Sequence, residues 1–114
     1  MDIRRGDIFL IDLNPVVGTE QSGVRPALII QIDSANTSSP HTIIIPFTTK
    51  IRDAILPSHV KFIAGTGGLV EDSVLLCEQI RVIDKKRLVQ KIGNIEENKL
   101  TKVTTAVKAI LGLG

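Results

Sequence analysis

The chain reads as a β-rich α+β protein: a five- or six-stranded antiparallel sheet or small barrel capped by a C-terminal α-helix. Three observations carry that expectation. Short stretches rich in β-branched residues, separated by Gly, Pro, Asn and Asp turn signals, run from Asp7 to Ile83. Past Asp84 the apolar period lengthens, and Leu100, Val103, Val107, Ile110 and Leu111 recur at spacings of three and four, one face of a helix. The 114 residues, 43% hydrophobic and 23% charged, suffice for one core but not for two, so one domain over 1–114 is expected.

Taken in order, "DIFLID" (Asp7–Asp12) is the first strand, ended by the turn-forming "LNPVVG". "PALIIQI" (Pro26–Ile32) is the second, followed by the polar loop "DSANTSSPH". "TIIIPF" (Thr42–Phe47) is the third, and Pro46 points to an edge strand or a bulge. "HVKFI" (His59–Ile63) follows Pro57 and is closed by "AGTGG". "SVLLCEQIRVI" (Ser73–Ile83) is the longest stretch, with a bend or division expected near Glu78. "DKKRLVQKIG" suggests one or two helical turns ended by Gly93. Asn94, three residues ahead of Glu97, suits the N-cap of the last helix, which Gly112 and Gly114 end. The runs "LII" and "III" are apolar on both faces and need cover on two sides. The helix supplies one; sheet curvature or a second subunit supplies the other, which makes a homodimer an expectation.

Composition excludes several classes. No apolar run approaches the roughly 18 residues of a membrane helix. The start "MDIRRGDIFLID" shows no secretory h-region or cleavage site. The one cysteine, Cys77, lies in "SVLLCEQI" and reads as a buried structural thiol. Together these place the chain in the cytoplasm. A net charge of +2 permits an acidic partner or nucleic acid without demanding one. Three Phe with no Trp or Tyr argue against recognition by base stacking. "GTGG" at Gly65–Gly68 is followed by no helical pattern and reads as a flexible turn, not a phosphate loop. His41 and His59 lack zinc-site spacing, and no Ser sits in G-x-S-x-G, so neither a metal nor a cofactor is expected.

Arg25 is the first candidate for chemistry. A residue before proline is held extended, so Arg25 leads straight into a strand and shares a face with Ala27 and Ile29. A guanidinium beside apolar surface pulls strongly on phosphate or carboxylate. Taken alone, a salt bridge with Glu20 or another carboxylate, or a snorkelling surface position, is the more ordinary explanation. Thr48 and Thr49, at the end of the third strand, could position a phosphate or a nucleophile, or simply favour the strand. In "EQIR", Glu78 and Gln79 fall on opposite faces, so at least one points at a cleft or an interface.

"RRGDIFLIDLNPVVGTEQSGVRPALII" resembles the N-terminal signature of the MazF/PemK toxins, the ribonuclease half of type II toxin–antitoxin pairs. The elements are Arg5–Gly6–Asp7, Asp12–Leu13, Pro15, Gly18, Glu20–Gln21, Gly23 and Arg25–Pro26. The likeness continues through "PFTT", "LPSHV", "DSVLLCEQIRVIDKKRL" and the C-terminal helix. It implies an SH3-like small antiparallel barrel with a C-terminal helix, acting as a homodimer. It also implies metal-independent, sequence-specific cleavage of single-stranded RNA to 2′,3′-cyclic phosphate and 5′-hydroxyl ends. The implied catalytic pair is Arg25 and Thr48. The implied RNA contacts are Thr19, Glu20, Gln21, Thr49, His59, Ser73, Glu78 and Gln79, with base reading by loops around Pro15–Gly23 and Ile51–His59. Some branches carry histidine where this chain has Thr19, which leaves no histidine base there; Glu20 is a candidate base by chemistry alone. The implied partner is a cognate antitoxin with an acidic, partly disordered tail, the pair together binding DNA.

Two rivals keep the fold. A gyrase poison of the CcdB type acts through the end of its C-terminal helix, but "AILGLG" has no terminal aromatic to insert. A non-catalytic SH3-like binding module would need the aromatic groove that three Phe do not provide.

Overall fold

The computed structural model describes residues 1–15, 17–50 and 56–114. Seven strands form one antiparallel, barrel-like sheet: β1 (Asp7–Asp12), β2 (Val24–Ile29), β3 (His41–Thr48), β4 (His59–Phe62), β5 (Ser73–Leu76), β6 (Arg81–Asp84) and β7 (Leu88–Asn94). Among the described residues two α-helices accompany the sheet, α1 (Asp33–Ser38) and α2 (Glu97–Leu111). The strand order is β4-β5-β3-β2-β1-β7, with β6 also pairing β3.

The period of two sorts the apolar residues onto two faces. Ile8, Leu28, Ile45 and Phe47 pack under Leu100, Val103 and Ala106 of α2. Phe9, Ile11, Ala27, Ile29 and Ile44 face the other way and are covered by Ile83 of β6 and Leu88 of β7. Sheet curvature supplies cover for this second face within one chain. In the "LII" and "III" runs Leu28, Ile29, Ile44 and Ile45 are buried within one chain, while Ile30 and Ile43 stay partly exposed. Cys77 is fully buried, and desolvation together with the neighbouring Glu78 charge pushes its thiol up to about 12.

Several local expectations are corrected. Pro46 lies in β3, the branch point of the sheet, and not on an edge. Ile30 N–H donates to the Ile43 carbonyl, so the odd-numbered residues of β3 bond toward β2 and Pro46 faces the other side. On that side β3 pairs β6 over His41–Ile44 and β5 over Phe47–Thr48. The missing N–H of Pro46 falls in the gap between these partners, where no bond is forgone. "DKKRLVQKIG" forms a single 3-10 turn, Lys85–Arg87, and then β7, because the open edge of β1 offers a ladder that outweighs local helical preference. "DSANTSSPH" contains α1, whose Asn36 is buried, donating to the Gln31 carbonyl and accepting from Thr42 Oγ1 at 2.7 Å. Asn94 ends β7, and Glu96, extended and without a side-chain bond, is the N-cap of α2. Gly112, left-handed at φ 71°, ends that helix as expected.

The "GTGG" segment is no flexible turn. It is a tight turn at Thr66–Gly68, with Gly67 and Gly68 at φ 58° and 86°, laid backbone-to-backbone on β7, where a Cβ on Gly68 would stand 2.1 Å from the Ile92 carbonyl oxygen. The long stretch does divide, into β5, a 3-10 turn at Cys77–Gln79, and β6. Among the described residues no helix is long and apolar enough to cross a membrane.

Candidate functional site

The Arg25–Pro26 pair sits where the β2–β3 ladder stops. That ladder pairs Ala27 with Pro46, Leu28 with Ile45 and Ile29 with Ile44. With Ile30 N–H donating to Ile43, the even-numbered residues of β2 bond toward β3. The next donor would be residue 26, which is proline and has no N–H. Pairing ends there, and the same register carried two residues further puts Arg25 across from Thr48 at an unpaired mouth. Opposed residues of an antiparallel pair share a face, and here it is the face of Ala27, Ile29 and Ile44. Arg25 is half-buried, and its Nε donates to the Ser22 carbonyl at 2.6 Å. Among the described residues it forms no ion pair, with Glu20 or any other carboxylate. Thr48 is only 6% exposed, and its hydroxyl oxygen accepts the Lys50 N–H at 3.1 Å.

Beside this mouth lie two adjoining clefts of about 300 and about 430 Å³. Thr19, Gln21, Glu78 and Gln79 line both. Thr48, Lys50, His59 and Leu76 continue the first; Leu13, Glu20, Pro46 and Arg81 continue the second. The Gln21 N–H donates to Gln79 Oε1 at 3.0 Å, so the β1–β2 loop touches the turn between β5 and β6 where the clefts meet. Glu78 accepts from Ser58 Oγ at 3.1 Å and meets His59 Nε2 at 2.9 Å. Desolvation alone would raise its carboxyl, but the bond and charge of His59, a backbone bond and the Ser58 hydroxyl together hold it below the usual carboxylate range.

Residues 4–111 match the family described as PemK-like, MazF-like toxin of type II toxin–antitoxin system. The chain belongs to that family. It is similar to Endoribonuclease EndoA of Bacillus subtilis, with 47% identity over 113 residues that cover 99% of this chain and 97% of the relative. Its fold is that of MazF from Deinococcus radiodurans, at TM-score 0.83 and 24% identity over 98% of both chains. A mycobacterial endoribonuclease solved in complex with its cognate antitoxin superposes at TM-score 0.81 and 22% identity, covering 98% of this chain and 97% of the other.

On this PemK/MazF toxin the candidate residues separate into two groups. Thr19, Glu20, Gln21, Thr48, His59, Glu78 and Gln79 are brought together around the clefts. Three others are not part of the cleft linings. Arg25 stands at the strand mouth. Thr49 is exposed just past the end of β3. Ser73 is buried at the start of β5 with its hydroxyl turned to the Glu71 carbonyl. Glu78 and Gln79, expected on opposite faces of a strand, both reach the clefts because a 3-10 turn replaces the strand there. Of the Ile51–His59 segment, residues 51–55 lie outside the described residues; Leu56 and His59 line the first cleft. Lys50 and Arg81 are cleft residues that sequence reasoning did not single out, although "TTK" and "EQIR" already placed each beside a candidate.

Proposed function

We propose that this toxin is an endoribonuclease that cleaves single-stranded RNA by transesterification, with Arg25 and Thr48 as its catalytic pair. What supports the reading is the β2–β3 register: carried two residues past its last pair, Ala27–Pro46, it brings Arg25 opposite Thr48, which lines a cleft of about 300 Å³. The 2′-oxygen attacks the adjacent phosphorus in line, the bond to the 5′-oxygen breaks, and a 2′,3′-cyclic phosphate and a 5′-hydroxyl result. The phosphorane on the way carries extra negative charge. Arg25, with Nε tied to Ser22, has its two Nη groups to offer that charge. Thr48, whose oxygen already accepts from Lys50, can donate its proton to a non-bridging oxygen or the 2′-oxygen. Glu20 is the candidate base; its Oε1 takes the Val17 N–H at 2.7 Å, which leaves Oε2. The reaction is proposed to run without a metal.

A single strand can splay its bases into the clefts, where Glu78, Gln79 and the loop residues offer donors and acceptors to base edges. Lys50 and Arg81 supply the phosphate-facing charge. The same charge suits the acidic tail of a cognate antitoxin, and the working form is proposed to be a cytoplasmic homodimer. Incubating the purified toxin with a long mixed RNA in EDTA, and sequencing the 5′-hydroxyl ends, tests the reading. Cleavage at a short recurring sequence, lost in Arg25→Ala, is the expected result. Intact RNA, or an alanine variant that cleaves normally, overturns it.

A further inference from the structure

The loop that carries Thr19, Glu20 and Gln21 leaves β1 after Asp12 and returns at Val24. Its root closes on itself: Leu13 N–H donates to the Gly23 carbonyl at 3.0 Å, and Gly23 N–H to Asn14 Oδ1 at 3.1 Å. Among the described residues, two side chains from distant parts of the chain hydrogen-bond to this loop. One is Gln79, at Gln21. The other is Arg87, whose Nη1 donates to the Asp12 carbonyl at 3.1 Å and also to the Asn14 carbonyl.

Arg87 acts from a firm base. It ends the 3-10 turn between β6 and β7, whose first residue, Lys85, donates its N–H to the Pro40 carbonyl at 3.0 Å. The Lys86 N–H is capped by Asp84 Oδ1 at 2.8 Å. A guanidinium bonding two carbonyls makes charge-assisted bonds, stronger than neutral ones. Arg87 itself lines neither cleft. Its two acceptors sit on one arm of the loop root, and the other arm returns through Ser22 and Gly23 to Arg25.

We infer that Arg87 is a positioning residue: through the carbonyls of Asp12 and Asn14 it holds the root of the loop whose Thr19–Gln21 segment walls both clefts. It thereby sets where that wall stands relative to Arg25. The consequence for RNA rests on the proposed ribonuclease activity; the clamp does not.

Amide hydrogen exchange and RNA cleavage are measured together on wild type, Arg87→Ala, Arg87→Lys and Lys86→Ala. In Arg87→Ala the Leu13 and Gly23 amides exchange about tenfold faster while β3 amides keep their protection. KM for RNA rises about tenfold, kcat changes less, and the cleavage-site profile broadens, a change that general loss of stability would not produce. Arg87→Lys, with a shorter stem, lies between, and Lys86→Ala, which removes an equal charge from the same turn, behaves as wild type. A folded Arg87→Ala with wild-type loop exchange overturns the clamp, and faster exchange with unchanged KM and site profile overturns its role in the groove. If the alanine variant does not fold, Arg87→Lys decides on the same readouts. If wild type cleaves no RNA, the ribonuclease reading fails and the exchange data still judge the clamp.

Discussion

His59 Nε2 stands 2.9 Å from Glu78 Oε2, and this pair ties the first residue of β4 to the turn that separates β5 from β6. The neighbouring Ser58 hydroxyl donates to the other oxygen of the same carboxylate. The wall of the first cleft therefore includes a carboxylate held in one orientation, with a folded-state pKa below its ordinary value.

A carboxyl with a lowered folded-state pKa binds fewer protons folded than unfolded, so it makes stability rise with pH. The contribution of Glu78 is fully present above the ordinary Glu value of about 4.3 and is lost as pH falls through its lowered value. In Glu78→Gln the acid limb of a melting-temperature-against-pH curve should flatten, with a loss of about 1 kcal/mol at neutral pH. An acid limb identical to wild type would rule out this role.

Arg25→Ala should lower kcat for RNA cleavage by roughly 10²–10³ with little change in melting temperature, since the side chain is half-exposed and its one bond is to a loop carbonyl. Arg25→Lys should recover only part of the rate, because an ammonium lacks the planar fork. Thr48→Val keeps shape and removes the hydroxyl, so a folded protein with slowed cleavage is expected. Single-turnover kinetics separate these losses from weakened binding.

Pro26→Ala restores the N–H that would extend the β2–β3 ladder to Phe47. The amide at position 26 should show exchange protection, stability should stay within about 1 kcal/mol, and cleavage should fall by about tenfold as the mouth beside Arg25 closes. An unprotected amide at that position would show that the ladder ends for another reason.

Gly68→Ala tests the backbone contact beneath the "GTGG" turn. The residue has φ +86°, and its new methyl would meet the Ile92 carbonyl oxygen at 2.1 Å, where backbone and not a flexible side chain must give way. A loss of about 3 kcal/mol, read by chemical denaturation, is expected. Gly18→Ala, also at positive φ but with open space around it, should cost less.

Much of this protein was legible from residue order alone. The strands "DIFLID" and "TIIIPF", the glycine that ends α2 and the division near Glu78 all follow from local rules of period, turn and cap, as does the helix face at Leu100, Val103 and Val107, though its expected continuation, Ile110 and Leu111, is exposed. The groove candidates Thr19, Glu20, Gln21, Glu78 and Gln79 were named from a signature distributed along the chain, and the fold brings them together. Local rules failed where a segment's state depends on a distant partner. "DKKRLVQKIG" became a strand because β1 had an edge to fill, and Pro46 entered the middle of the sheet because β3 changes partners beside it. "GTGG" is ordered by close approach to β7, which no spacing within the segment encodes. For Arg25 the division is sharpest. Its sequence neighbour Pro26 determined that its backbone is extended and that a bond to the next strand is missing. Only the β2–β3 register, fixed by burial of alternate side chains on two faces, decided that this gap opens beside the end of β3, the strand that Thr48 closes.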